Sequence, residues 1–449
     1  MAAIVTDRLK LAIVDQIVTI MNDTSDPTYI GFGKSEQWDS NDTAPTPTNS
    51  LDEERTFRNS LQSIKKMTAV STVVPRVNWT NGTIYHGFDD KITGYGSASY
   101  YVLTENFSVY VCLRAGRNNQ GALVPSTVQP SGSNNDPFET ADGYVWKFLY
   151  TISETEARRF MTAAFMPTRI VASTDSNSTG AEIKQFEIQN NADARQITQI
   201  IVTNAGSGYT SPPAVLITGD GDSSFTAFST IDSNSGTVTK VEFANDSSTL
   251  DYPQGYTNAT VTLAGGGGTG AKARAVISPR DGWGKNSKFD LKTTALCVHC
   301  KVEGSDSDFV TGQDFRQIGI LKGVKKTIAD SDFFGITGNC LKHLTLSSIS
   351  STFTADKLIV GTTSGAKALI DKVDSNKIFF HYNDNTNFRA FTDGETLTES
   401  DGSGAGVIDS ALVSPLINAA SVKLQYLNNR TPVDRSSSQN EDIKIILQI

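Results

Sequence analysis

The sequence predicts a mainly β protein of several domains, α+β only to a minor degree. We expect an antiparallel β sandwich or barrel core with a few short helices, interrupted by two small inserted β domains. Three observations lead to this prediction. The segment Asp142–Ile152 is apolar at alternate positions, residues 196–277 contain an internal repeat, and the 36 glycines indicate frequent turns.

The segment Asp142–Ile152, DGYVWKFLYTI, predicts a central strand. In an extended conformation, one face would carry five large side chains: Tyr144, Trp146, Phe148, Tyr150 and Ile152. Val145 and Leu149 make the opposite face apolar too, so we expect both faces to be buried. The Asp-Gly pair that opens the segment is typical of a turn.

The first 66 residues predict two helices and one short strand. Apolar residues at spacings of three and four indicate an amphipathic helix over residues 6–22, with this apolar face: Leu9, Ile13, Ile17 and Ile20. A strand is expected over residues 29–32. Ser50 is suited to cap a second helix, which the pattern places at residues 51–66.

Strands dominate the rest of the core. Residues 100–113 predict a hairpin, and a short helix with an acidic first turn is expected after the central strand. Two further strands are expected within residues 290–304 and 314–324. The nearly apolar last strand, Ile443–Ile449, is expected to pair with a strand of the first 170 residues.

Two modules differ from this core in composition, which indicates that they are inserted into it. Gln196–Ile231 aligns with Thr237–Ile277, and the alignment matches Gly208-Tyr209 with Gly255-Tyr256. Residues 353–413 hold short strands between Gly and Asp turns, a pattern typical of a small barrel. The expected domains are residues 1–170 (first part of the core), 171–280 (repeat module), 281–346 (second part of the core), 347–413 (barrel-like module) and 414–449 (C-terminal strands completing the core).

Composition argues against some partners. The 39 basic and 48 acidic side chains give a formal net charge of −9, which disfavours binding to nucleic acid or to an anionic membrane. No stretch approaches the ~18 consecutive apolar residues of a membrane span, so we expect no membrane insertion. The four cysteines and the lack of an export signal predict reduced thiols in a reducing compartment.

Two motifs resemble ligand sites but are better explained as structure. In GGGGTGAK, Gly265–Lys272, Ala271 stands where a phosphate-binding loop requires lysine, so the segment predicts a glycine turn. In CVHC, Cys297–Cys300, a strand would place the two cysteines on opposite faces. This favours buried cysteines over a zinc site.

Nor does the sequence present a catalytic set. The Asp-rich turns at residues 219–224 and 399–406 lack the spaced ligands of a calcium loop, and we expect ordinary turns there. The four histidines lie in unrelated contexts, so no Ser/His/Asp set is identified. We therefore predict no enzymatic activity, no catalytic residues, no cofactor and no metal.

Five segments occur in this order along the chain: YIGFGKSEQW (Tyr29–Trp38), VVPRVNW (Val73–Trp79), DGYVWKFLYTI (Asp142–Ile152), DFRQIGIL (Asp314–Leu321) and NRTPVDRSSSQNEDIKIIL (Asn429–Leu447). Together they resemble the baseplate wedge subunit of contractile-tailed phages, the gene-product-eight family typified by the T-even phages. The resemblance covers roughly residues 1–170, 281–345 and 414–449. The two inserted modules depart from the family pattern.

The resemblance implies a structural protein of the virion, located in the tail baseplate and assembled in the bacterial host cytoplasm. It implies a homodimer within each wedge, contacts with other wedge proteins, and a part in the baseplate rearrangement that triggers sheath contraction. The signature residues, which are also candidate interface residues, are Trp38, Arg76, Trp79, Trp146, Phe315, Arg316 and Arg430.

Two other functions are open from the sequence. A receptor-binding or carbohydrate-binding tail protein is the main alternative, because glycine-rich β modules recur and loops carry Trp, Tyr and Asn. A tail-associated glycosidase would need two carboxylates across a groove, and the sequence neither identifies nor excludes such a pair.

Overall fold

The computed structural model describes residues 3–39, 41–92, 100–222, 225–243, 252–306, 314–400, 402–436 and 438–449. Strands make up 41% of the structure and helices 12%, which confirms the mainly β, multidomain prediction. No helix within these ranges is long and apolar enough to cross a membrane.

The helices within the described ranges are α1 (Asp7–Met21), α2 (Leu51–Asn59), α3 (Glu154–Phe160), α4 (Gly180–Asn190) and α5 (Ser287–Asp290). The strands are β1 (Tyr29–Gly33), β2 (Leu61–Lys66), β3 (Ala69–Pro75), β4 (Tyr101–Leu103), β5 (Ser108–Arg114), β6 (Phe138–Glu139), β7 (Val145–Thr151), β8 (Phe165–Thr168), β9 (Ile197–Asn204), β10 (Ala214–Gly219), β11 (Ala227–Asp232), β12 (Thr237–Phe243), β13 (Ala259–Ala264), β14 (Lys272–Ile277), β15 (Ala295–Val302), β16 (Asp314–Lys322), β17 (Thr337–Asn339), β18 (Lys342–Ser351), β19 (Leu358–Gly361), β20 (Lys367–Asp374), β21 (Lys377–His381), β22 (Thr396–Glu399), β23 (Ala405–Val413), β24 (Lys423–Asp434) and β25 (Glu441–Gln448).

The chain divides into two compact units, each built from segments that are distant in sequence. Unit one comprises residues 1–15, 71–297 and 447–449, and unit two comprises residues 16–70 and 298–446. The finer division into five domains stays a prediction.

In unit one, β7 is the predicted central strand. It lies inside a four-stranded sheet in the order β4-β5-β7-β6, and every residue from Val145 to Tyr150 is buried. The expected hairpin is present as β4 and β5, antiparallel to each other. The short helix after β7 is α3, which Ser153 begins with a capping box.

The two faces of β7 do not divide as simple alternation predicts. Between the pairs Tyr110↔Phe148 and Val109↔Tyr150, β7 carries one extra residue, Leu149. Such a bulge reverses the side-chain parity beyond it. Two buried clusters therefore share the strand: one contains Tyr144, Trp146 and Phe148, and the other contains Val145, Leu149, Tyr150 and Ile152.

Strands β9 to β14 form a closed barrel, here called barrel one, in the order β10-β11-β12-β9-β14-β13. The sequence repeat coincides with three-stranded halves, β9–β11 and β12–β14. Equivalent strands pair with each other, β9 with β12 and β10 with β13, so the barrel has an internal pseudo-twofold arrangement. The repeat was thus a correct guide to the architecture of this segment.

A second closed barrel, barrel two, is formed by β18 to β23 within unit two, in the order β18-β21-β20-β19-β22-β23. Its ring of pairings is that of barrel one, with β18 in the place of β9 and β23 in the place of β14. The sequence GAKA occurs in both barrels, beginning at Gly270 and at Gly365. In each barrel it spans the start of the third strand of a three-stranded half. The φ angles of the two glycines are positive, 84° for Gly270 and 63° for Gly365. The sequence indicated a small barrel here, but it did not indicate that the two barrels have the same topology.

The tyrosines of the two Gly-Tyr pairs in barrel one pack against glycine turns. The Tyr209 ring of the first half packs against the glycine turn of the second half, where a Cβ at Gly268 would lie 2.5 Å from the ring. Tyr256 of the second half packs equally against the first, where a Cβ at Gly221 would lie 2.3 Å from its ring. The glycine turn Gly265–Gly268 therefore makes room for an aromatic ring, as its predicted role as a turn allows.

Unit two contains a five-stranded sheet in the order β17-β2-β1-β16-β24. The predicted helix over residues 51–66 is wrong in its second half. Ser50 caps α2 as expected, accepting from the Glu53 amide at 3.1 Å, but the helix ends at Asn59 and residues 61–66 form β2. Pairing with β1 and β17 outweighs the local helical preference.

In unit two, one sheet joins strands from distant parts of the chain. The central pair β1 and β16 joins β2, from the N-terminal part, with β24, from the C-terminal part. The final strand β25 lies beside β15, so its expected pairing with a strand of the first 170 residues is wrong. Both edges of β7 are already occupied by β5 and β6, which leaves no edge for a further strand.

The N-terminal helix α1 is present, but its buried face was wrongly predicted. Leu11, Val14 and Met21 are buried, whereas three of the four residues assigned to the apolar face are exposed: Leu9, Ile13 and Ile20. The helix is apolar on more than one side, and periodicity alone does not decide which side is buried.

We predict that Trp146→Ala lowers the free energy of unfolding by about 3–5 kcal/mol, because it removes a fully buried ring stacked on Tyr144 at 5.7 Å. The Trp146 indole nitrogen has no hydrogen-bond partner among the described residues, so the change reports packing alone. Chemical denaturation measures the difference. The half-buried Trp79→Ala is the control, and an equal loss in both variants would contradict this account.

Candidate functional site at Arg316

Arg316 on β16 is the centre of a buried charged cluster in unit two. Its guanidinium donates two parallel hydrogen bonds to Asp42, both 2.7 Å, and a third of 2.7 Å to Asp314. It also donates to the backbone carbonyl of Ser35. Arg316 is only 3% exposed, so these acceptors replace water around the charge.

The pKa of Arg316 follows from this geometry. Burial by itself opposes the charged form, but the hydrogen bonds to Asp42 and Asp314 outweigh burial and raise the pKa. The same contact keeps the pKa of Asp42 below its usual range. Both shifts favour the charged forms of Arg316 and Asp42.

The loop after β1 is shaped by this cluster. Lys34 and Asp42 both have positive φ angles, 58° and 53°, and the loop between them turns back onto the start of β16. The Arg316 amide donates to the Lys34 carbonyl at 3.0 Å. At the other end, the Trp38 amide donates to Asp42 at 3.1 Å. We call residues 34–42 the signature loop; Ser40 lies outside the described residues.

Trp38 connects the signature loop to the edge strand of the sheet. Its indole nitrogen donates to the carbonyl of Arg430 on β24 at 2.8 Å, and the Lys34 ammonium lies 4.8 Å from the centre of its ring. Beside Arg316, Phe315 packs edge-on against Phe32 at 5.1 Å. Trp38 thus satisfies a backbone acceptor at an edge that otherwise faces solvent.

Barrel two completes the cluster from the other side. His381 on β21 lies 2.7 Å from Asp371 through Nδ1 and 3.3 Å from Glu36 through Nε2. Ser35 donates to the second oxygen of Asp371 at 3.0 Å, and Asn383 donates to Glu36 at 2.5 Å. The signature loop therefore lies between β16 and barrel two, within one unit.

The pKa values of three side chains are shifted in this cluster. Burial opposes the charge of His381, but Asp371 and Glu36 raise its pKa to about 10. Burial also opposes the charge of Glu36, yet His381, Lys34 and Asn383 hold the pKa of Glu36 well below its usual range. Burial, together with neighbouring Asp314 and Asp371, raises the pKa of Asp356 to about 6.

The cluster contains a serine, a histidine and an aspartate, but their geometry is not that of a nucleophilic triad. Ser35 donates to Asp371 and not to His381, so the imidazole is not positioned to take the serine proton. Ser35 and Asp371 are fully buried and His381 is 4% exposed. The arrangement holds three segments together.

Sequence reasoning identified part of this cluster and missed the rest. Four of the signature residues lie in unit two. Trp38 and Arg316 share the acceptor Asp42, Arg430 contributes its backbone carbonyl, and Phe315 packs against Phe32. Asp42, Asp371 and His381 were not identified. Ser35 and Asp371 are 336 residues apart in the chain, and nothing in the local pattern of either one indicates the contact.

The other three signature residues lie in unit one. Trp146 is fully buried, and Trp79 donates from its indole nitrogen to Ser126 at 3.1 Å in the same hydrophobic cluster. Arg76 donates to Asn78 at 2.8 Å and to the Thr162 carbonyl at 3.2 Å. The seven residues therefore do not form a single site.

The cysteine motif and the Asp-rich turns noted in the sequence make contacts within the fold. The thiols of Cys112, Cys297, Cys300 and Cys340 are all buried, and His299 lies 2.9 Å from Asp442. In the first Asp-rich turn, Asp220 accepts from the amides of Thr257 and Asn258 at 2.9 and 3.0 Å. Ser223, Ser224 and Asp401 lie outside the described residues. Among the residues that are described, no group of three or more His, Cys, Asp or Glu is placed to hold a metal ion.

A comparison with protein-family models gives no match to this chain, and a search of curated proteins gives none either.

We predict that Arg316→Met lowers the free energy of unfolding by about 3–5 kcal/mol, because it leaves Asp42 and Asp314 without their buried cation. Urea titration measures the loss. Arg430→Met is the matched control: this signature residue is exposed, and its replacement is expected to stay within about 0.5 kcal/mol. Similar losses for both arginines would contradict the central role of Arg316.

We predict a pH-dependent effect of His381→Gln. The folded pKa of His381, about 10, exceeds the ordinary value of 6.5, so the protonated ring stabilises the fold fully below pH 6.5. That contribution is lost as the pH rises through about 10. The difference in unfolding free energy between wild type and variant should shrink from pH 6 to pH 10.

The control is His343→Gln, because burial lowers the pKa of His343 instead of raising it. Its difference from wild type should not shrink over that interval. A constant gap for His381→Gln would show that the ring acts through packing and not through charge.

Proposed function

We infer that this protein is a structural subunit of a contractile phage tail baseplate wedge, acting through protein–protein contacts and taking part in the rearrangement that triggers sheath contraction. One observation carries the proposal. Three of the five segments that resemble the wedge family meet in unit two: the Trp38 amide and the Arg316 guanidinium both donate to Asp42, and the Trp38 indole donates to the backbone carbonyl of Arg430, which is 392 residues away in the chain.

The chemistry of the cluster supports a structural role. A buried guanidinium bound to two carboxylates fixes the geometry of the segments that carry them, and such ionic groups favour one arrangement over alternatives. The signature loop is held by both β16 and barrel two of unit two. The cluster therefore holds the signature loop in one position, as a structural framework requires.

Exposed apolar side chains on unit two are consistent with assembly. Ile328 is 82% exposed, Ile336 65% and Phe334 55%, all within one short segment. We take this segment as a candidate contact surface, because exposed apolar patches can mark protein–protein interaction sites. Homodimerisation and the identity of the neighbouring wedge proteins rest on the resemblance and belong to this proposal.

We predict that cryo-electron microscopy of the virion locates twelve copies of this chain in the baseplate ring, two in each of six wedges, as the proposed dimer requires. Mass photometry of the purified chain would report the dimer independently. Three copies in a fibre, or copies at a fibre tip, would contradict the proposal and favour the receptor-binding alternative.

A further inference from the structure

The strand β24 lies at one edge of the five-stranded sheet of unit two. It pairs with β16, and within the described part of the chain no second strand pairs with it. An edge strand presents a row of backbone N–H and C=O groups, and another extended backbone is the ligand that matches such a row. The strand is 12 residues long, so the row is a long one.

The hydrogen bonds of β16 determine which backbone groups of β24 point inward. The Arg316 amide donates to the carbonyl of Lys34, directly after β1, so Arg316 points its backbone groups toward β1. Residues of a central strand alternate between their two neighbours, and Gly319 therefore points toward β24. Its partner there is Leu427. The backbone N–H and C=O of Leu427 are thus used within the sheet.

The residues on either side of Leu427 point their backbone groups outward. By the same alternation these are Tyr426 and Asn428, and next along the strand Arg430. The Arg430 carbonyl agrees with this direction, because it accepts from the Trp38 indole at 2.8 Å. For Tyr426 and Asn428, the described part of the chain provides no backbone partner on that side. The unpaired stretch of the edge is therefore centred on these two residues.

A groove of about 330 Å³ lies beside the unpaired stretch, between β24 and the segment that leads into α2. Its β24 wall is Leu424–Leu427, four consecutive residues. Because successive side chains of a strand point to opposite faces, such a wall follows the strand edge and not one face of the sheet. The opposite wall includes Pro47 and Leu51, and Leu51 is 82% exposed. The groove therefore has the course that an added strand would take.

The sequence of this stretch lacks the features that protect the edges of sheets. Natural edge strands commonly carry charged residues or proline. Residues 424–429, LQYLNN, contain neither, and the proline of β24 is Pro432, beyond the Trp38 contact. The segment from Pro47 to Leu51 stands beside the edge, but no backbone hydrogen bond joins it to β24 among the residues described. The edge is thus open to a further strand.

The charge of the groove favours a basic ligand. Its described lining contains two carboxylates, Glu53 and Glu54, and no lysine or arginine. Glu54 is paired with Arg58, whereas the ion pairs of the described residues include none with Glu53. Glu53 accepts from the amide and the hydroxyl of Thr48 at 3.2 and 3.1 Å, which hold its carboxylate in place. A lysine of the ligand would complement this carboxylate.

We propose that β24 accepts an extended, lysine-containing segment of a partner protein as a sixth strand of this sheet. The segment pairs with the backbone of Tyr426 and Asn428, places an apolar side chain against Leu51, and directs a lysine to Glu53. A second copy of this chain is disfavoured, because symmetric pairing of two β24 edges would bring two acidic groove walls together without a cation from their described lining.

The test uses the whole chain and a fluorescein-labelled decapeptide, KVTVKVTVKV, as the probe. Fluorescence anisotropy measures its affinity. The control is the same peptide N-methylated at every backbone amide, which keeps the side chains and removes the donors. We expect the control to bind at least about tenfold more weakly, as the loss of two or more backbone hydrogen bonds implies. Equal affinities, or no binding of the unmodified peptide, would overturn the proposal.

Two variants at one position locate the pairing. Tyr426→Pro removes the outward amide without breaking a bond to β16, and Tyr426→Ala removes the same side chain but keeps the amide. We expect the proline variant to bind the peptide about tenfold more weakly than the alanine variant. Thermal melts check that both fold, and if the proline variant does not, the N-methylated peptide decides. Equal affinities of two folded variants would overturn the proposal.

A further pair of variants tests the charge. Glu53→Gln should weaken binding of the peptide about threefold, as a partly exposed ion pair implies. Asp52→Asn is the matched control, because Asp52 is 68% exposed and does not line the groove. Equal effects of the two changes would overturn the role of Glu53.

Light scattering of the chain alone tests the other occupant. A dimer that Tyr426→Pro dissociates would assign the edge to a second copy and overturn the proposal, whereas an oligomeric state that this change leaves unaltered supports it. None of these results depends on where the protein sits in a virion.

Discussion

The need to neutralise the buried guanidinium of Arg316 is the constraint on which unit two depends. Its donors require carboxylates in fixed positions, and Asp42 and Asp314 provide them. Because Asp42 lies at the end of the signature loop, the loop must turn back onto β16. Ser35 and Glu36 then face Asp371 and His381 of barrel two. One charge therefore determines the path of a loop and the attachment of a module.

The two barrels share one arrangement of paired strands. In each, three-stranded halves are related so that equivalent strands pair, and no strand edge is left open around the ring. Barrel one adds a reciprocal exchange of aromatic rings, with Tyr209 and Tyr256 each lying on the glycine turn of the other half. Glycine is required at those positions because a Cβ would occupy the space of the ring.

The proposed structural role rests on the Arg316 cluster of unit two. The Arg316 guanidinium is buried and donates to two carboxylates, as suits a framework whose segments must not separate.

The sequence by itself determined the mainly β class, the burial of both faces of β7, the repeat behind barrel one and the cap at Ser50, because each follows from local pattern or local hydrogen bonding. Only the tertiary structure decided that residues 61–66 form a strand, since their partners β1 and β17 lie elsewhere in the chain. It likewise decided the parity change at Leu149 and the contact of Ser35 with Asp371. These depend on cross-strand register and on charge compensation between distant segments, which no local pattern records.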